Sequence, residues 1–115
     1  MSKTFELARD AWGAYFDTVS RGLAGKQVDI EIAALSLGSQ VAAAWLPVFG
    51  VTYDPKNDLL AVMADGLDHM IRHPRQIFVD SDGAELHSIH AIDGDGNSQI
   101  IRFRSPLGLP GAAPA

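Results

Sequence analysis

The chain contains no cysteine. There is therefore no disulfide framework, no thiolate nucleophile and no Cys-ligated zinc or iron–sulfur cluster. Basic charge is scarce. Nine Lys and Arg stand against 14 Asp and Glu, for a net charge of −5. Nucleic-acid binders usually carry a basic field that neutralises phosphates, so this balance argues against such a partner. No apolar run approaches the ~20 residues of a membrane span. The N-terminus, MSKTFELARDAW, lacks the apolar core of a secretory signal. A cytoplasmic protein without a membrane partner is the expectation. Also missing are a Gly-rich phosphate loop, a G-x-S-x-G elbow and an H-E-x-x-H pair. No catalytic residue stands out, and no cofactor is expected.

What is present fits one folded domain. Hydrophobic residues make up 47% of the 115 positions, ordinary for a globular chain. Residues 1–106 read as a single α+β domain, and the small, uncharged 107–115 as a flexible tail. Residues 4–24 read as a helix. Trp12, Phe16, Val19 and Leu23 form one apolar stripe, with Tyr15 beside it. Val28, Ile30 and Ile32 alternate with Asp29 and Glu31, the pattern of a half-buried strand. Residues 36–39 read as a turn and 40–46 as a strand ended by Pro47. Val48–Tyr53 and Leu59–Ala64 pair as a hairpin across the turn Asp54-Pro55-Lys56-Asn57-Asp58. Gln76–Asp80 is another short strand. Ser81-Asp82-Gly83 is a turn. Glu85–Ile92 and Ser98–Arg104 form a second hairpin. The segment 67–73 fits either a short helix or a strand.

The pattern Gly50-Val51-x-Tyr53-Asp54-Pro55-x-x-Asp58, then Leu67-Asp68-His69-x-Ile71-x-x-Pro74, resembles a family of small bacterial proteins of unknown function. Trp12 and Phe16 before it, and Arg102-Phe103-Arg104-Ser105-Pro106 after it, belong to the same resemblance, which spans about residues 8–107. It implies a bacterial origin and a shared fold, and it brings no activity with it.

Few residues carry chemistry. Asp65, His69 and His73 fall at i, i+4 and i+8, and on a helix they would line one face as metal ligands. On a strand, residues 69 and 73 would lie roughly 13 Å apart and could not chelate together. Asp29 and Glu31 share a strand face, as paired carboxylates do, but so does any wet face. His87 and His90, three apart on a strand, are expected on opposite faces. Asp93-Gly94-Asp95-Gly96-Asn97 opens like a calcium loop, but Ser98 and Arg104 stand where its Gly and Glu belong.

The fold expected from this reading is α+β. One N-terminal helix packs on a strongly bent antiparallel sheet or small barrel, Sm-like or SH3-like, of about five to seven short strands. The favoured function is a non-enzymatic interaction or accessory module, self-associating as a homodimer. The alternative is a metal- or small-ligand-binding protein, perhaps a hydrolase, using 65–73 with Asp65, Asp68, His69 and His73. A weaker one is an Sm-like nucleic-acid module using Arg72, Arg75, Arg102 and Arg104.

Overall fold

The computed structural model describes residues 3–34, 38–82 and 85–108. Among these, eight strands alternate with a single helix. The strands are β1 (Lys3–Glu6), β2 (Gln27–Ala34), β3 (Gly38–Asp54), β4 (Leu59–Ala64), β5 (Leu67–Arg72), β6 (Gln76–Ser81), β7 (Glu85–Ile92) and β8 (Ser98–Gly108); the helix is α1 (Trp12–Ser20). All pairings are antiparallel, in one sheet ordered β1-β6-β7-β8-β2-β3-β4-β5.

This arrangement corrects the expected α+β fold. The chain is mainly antiparallel β, with eight strands rather than five to seven, and the sheet is open, because β1 and β5 end the order without pairing to each other. Two segments make the difference. Lys3–Glu6, expected as the opening of a helix, lies along β6 with Lys3 opposite Ser81 and Glu6 opposite Phe78. Leu67–Arg72 is a strand, and its hairpin with β4 sets Ala64 opposite Leu67. The helix is short, preceded by a 3-10 turn at Arg9–Ala11. Neither Ala8 nor Ala11 makes a side-chain capping bond, so the first N–H groups of the helix have no side-chain acceptor from the cap.

The apolar stripe nevertheless does what its spacing requires. Trp12, Phe16, Val19 and Leu23 are all buried, in one cluster with Val28, Ile30, Val51, Leu60, Ile71, Ile77, Ile89 and Ile101. The helix packs on β3, where the Ser20 hydroxyl donates to the Val51 carbonyl at 2.7 Å and accepts from the Val51 N–H at 2.9 Å.

Strand β3 belongs to two ladders. It pairs with β2 as far as Pro47, opposite Gln27, and with β4 from Val48, opposite Ala64. Pro47, expected to stop a strand, sits inside one at this hand-over. It has no N–H to offer a ladder, and its carbonyl accepts from the Asp65 N–H at 2.9 Å. Register shifts in the β2–β3 ladder and a left-handed Trp45 (φ 53°) bend the strand just before it. At the other end, β8 runs past Pro106 to Gly108, and Leu107, opposite Leu86, is buried. Residues 109–115 of the expected tail and Ser36 and Leu37 of the expected turn lie outside the described residues, as does Gly83.

Candidate functional site

Two regions hold the side chains that chemistry could use. The first gathers around Arg9. The 3-10 turn delivers its guanidinium over the Trp12 ring, 4.4 Å from the centroid. From there it donates to the Tyr53 hydroxyl at 3.5 Å, to Asp58 at 3.3 Å and to the Pro74 carbonyl at 2.9 Å. Tyr53 meets Trp12 edge to face at 5.0 Å and donates to Asp58 at 2.7 Å. The Tyr53 bond is the main cause that holds the Asp58 carboxyl below its ordinary value, with His73 and Arg9 adding to it against the opposing effect of burial. Asp54 closes the turn between them, accepting from the Lys56 N–H at 2.9 Å and from the Asn57 amide at 2.7 Å. Through Arg9, Tyr53 and Asp58 tie the N-terminal segment to the β3–β4 hairpin, and the Pro74 carbonyl ties it to the β5–β6 connection.

The metal candidates are not brought together. Asp65 is in the β4–β5 turn, His69 in β5, and His73 just beyond it in a left-handed conformation (φ 52°). His69 and His73 turn to different partners. His73 faces Asp58 at 3.4 Å. His69 Nε2 meets the Gln99 side-chain oxygen at 2.6 Å, while the Gln99 amide donates to Asp93 at 2.8 Å. That orientation of Gln99 assigns the proton to His69 Nε2. Burial pushes the Asp93 carboxyl up, but bonds from Gln99 and from the Asn97 and Asp95 backbone outweigh it and leave it lowered. The calcium-like loop is thus a turn closed by its own first residue. Among the described residues no group of three His, Asp or Glu side chains has metal-binding spacing.

His87 and His90 depart from strict alternation. A bulge lies between Leu86 and Ser88, and Leu86 and Ile89, three apart, are both buried. The extra residue shifts the period by one, so both histidines fall off the core face. His87 faces Asp82 at 3.5 Å. The four arginines also separate. Arg72 and Arg75 line a cleft beside Arg9. Arg102 pairs with Glu31 at 3.1 Å and Asp29 at 3.5 Å, so the two strand carboxylates are held as a salt-bridged face. Arg104 donates to Gln27 at 3.0 Å and lies over the Trp45 ring at 5.9 Å.

The second region was missed by reading motifs. Of the large apolar side chains left exposed, three lie on β3: Val41 at 65%, Trp45 at 39% and Phe49 at 66%. The signal was available. Residues 32–53 are 22 consecutive positions without a charge. A run of that kind is expected inside, yet among the described residues β3 has no strand partner beyond β2 before residue 48. Phe49 lines an open groove of about 610 Å³ with Leu23, Pro47, Arg21, Lys26 and Gln27.

No solved structure matches the chain. An uncharacterised protein of Aquifex aeolicus (strain VF5) is 31% identical over 108 residues, covering 93% of this chain and 97% of that protein. A family model described as a family of unknown function, DUF5335, matches residues 3–112. The chain belongs to that family.

Proposed function

We propose that this protein is a non-enzymatic interaction module that associates with a second copy of itself through the outer surface around β3. The observation that supports it is the uncharged run 32–53, whose Val41, Trp45 and Phe49 stay exposed. Contiguous exposed apolar surface on a water-soluble fold marks an interaction site. Trp and Arg are the residues that most often anchor one, and here Arg104 covers Trp45. The surroundings favour a second copy. Arg102 sits among Asp29 and Glu31, so the rim carries both signs and can answer its own image across a two-fold axis. A rim of one sign would repel a copy of a chain with net charge −5. Register shifts against β2 and the left-handed Trp45 make the open edge of β3 irregular, which favours a contact made by side chains over strand addition.

Sedimentation of the native chain and of Val41→Glu/Phe49→Glu tests this. The native protein is expected to form a concentration-dependent dimer, and the double variant to remain a folded monomer. Both positions are exposed, so folding stability should change by no more than about 0.5 kcal/mol each. A native chain that stays monomeric at millimolar concentration, with Trp45 freely quenched by acrylamide, sinks the proposal.

A further inference from the structure

A cleft of about 530 Å³ opens where Arg9 meets the end of β5 and the β7–β8 turn. Its walls carry Arg9, Arg72, His73, Arg75, Asp58 and Asp95. Three of the nine basic residues of an acidic chain thus share one concavity. Their charges are unequally answered. Arg9 is matched by Asp58, which also takes the Tyr53 and His73 contacts. Among the described residues the Arg75 guanidinium donates to the Gly94 carbonyl alone. The Arg72 guanidinium has no hydrogen bond or ion pair among the described residues. Asp95 is the one carboxylate of the cleft in the same condition.

The backbone around the cleft is strained and fixed. Asp58 (φ 50°) and His73 (φ 52°) are both left-handed, a conformation that is costly for a residue with a side chain. They hold each other, since the His73 N–H donates to the Asp58 carbonyl at 2.8 Å. Gly94 closes in from the opposite turn, donating its N–H to the Arg72 carbonyl at 3.1 Å. A Cβ on Gly94 would lie 2.9 Å from the His73 Cβ, so only glycine permits the approach. Strain of this kind persists where surrounding contacts over-determine it, and it gathers at binding sites.

We propose that this cleft binds a small oxyanion of the phosphate class, held by Arg72 and Arg75 with Arg9 preset behind them. Guanidinium groups offer paired donors that match phosphate oxygens. Two segments supply them, Arg9 from the N-terminal turn and Arg72 with Arg75 from the β5–β6 connection. A tetrahedral anion presents oxygens toward both segments, whereas a flat carboxylate presents one edge. The site is independent of the β3 surface, and neither reading requires the other.

Inorganic phosphate titrated into the native protein, followed by backbone NMR, tests it at constant ionic strength against acetate. Phosphate should shift the amides of Arg72, His73, Arg75, Gly94 and Asp95 saturably and raise the melting temperature. Arg72→Ala/Arg75→Ala, at two exposed positions, should weaken binding at least about tenfold while the spectrum of the core is retained. Arg21→Ala, outside the cleft, should bind as the native chain does. Tighter binding of a sugar phosphate would identify a phosphate monoester as the ligand, and equal binding would identify the free ion. Equal shifts with acetate, no saturable shift with phosphate, or native affinity in the double variant would overturn the proposal.

Discussion

The two tryptophans of this chain each lie under an arginine, and they sit in opposite worlds. Trp12 is 1% exposed, with Arg9 at 4.4 Å, Tyr53 at its edge and its indole N–H donated to the Leu7 carbonyl at 3.1 Å. Trp45 is 39% exposed, with Arg104 at 5.9 Å, on a strand that lacks a second neighbour at that point. The same pair of residue types is therefore a structural pin in one region and an uncovered surface in the other. What differs is the number of elements that converge. At Trp12 the N-terminal turn, the β3–β4 hairpin and the β5–β6 connection meet through Arg9. At Trp45, among the described residues, β2 is the one strand alongside and β8 reaches over through Arg104.

Trp12→Ala is expected to be the most damaging substitution, costing about 3–5 kcal/mol through lost burial and a cavity. Urea unfolding measures it. If Trp45→Ala costs as much, the comparison collapses. The next largest effect is expected at Asp93. Asp93→Ala removes the acceptor shared by Gln99 and two backbone N–H groups, and buried donors left unpaired cost about 1–3 kcal/mol. His69 should lose its fixed tautomer in the same variant, visible in its imidazole NMR signals.

Acid sharpens the comparison further. The Asp58 and Asp93 carboxyls titrate below their ordinary value in the folded chain. Their contribution is therefore complete above the unfolded carboxylate range and disappears as pH falls through the lowered values. Stability followed by circular dichroism should be level from neutrality to about pH 5 and decline below about pH 4. Tyr53→Phe removes the chief cause of the Asp58 shift. It should flatten the acid decline and lower stability near neutrality by about 1 kcal/mol, the usual value of one hydrogen bond. The smallest effect on stability, within about 0.5 kcal/mol, is expected for Trp45→Ala. The same variant should abolish self-association, and that inversion of rank is what separates an uncovered surface from a core.

Sequence periodicity carried the core and both hairpins. The Trp12–Phe16–Val19–Leu23 stripe and the Val28–Ile30 alternation place their residues inside without further information. It failed where a short apolar run fits two periods. Leu67–Arg72 reads equally as one helical turn or a strand, and only its neighbour β4 decides. It failed also at Lys3–Glu6, which becomes a strand because β6, more than 70 residues later, gives it a ladder. The Arg9 cluster was not legible at all, since its partners are distant in sequence. The β3 surface was legible in principle. Its signal was a missing charge rather than a motif, and it acquires meaning only when exposure is known.

The pairing of β2 with β8 has a consequence in time. Val28 lies opposite Phe103, so β2 acquires its second neighbour only once β8, about 70 residues later in the chain, has left the ribosome. Long-range pairings of this sort close slowly. Meanwhile the β2–β3 hairpin, uncharged from Ile32 to Tyr53, stands half-covered, the condition in which chains find one another before they finish folding. The side of the hairpin that β8 eventually shields is protected by completing the fold. The β3 side gains no strand from completion, so it is the side that the proposed second copy would cover, during synthesis as well as after it.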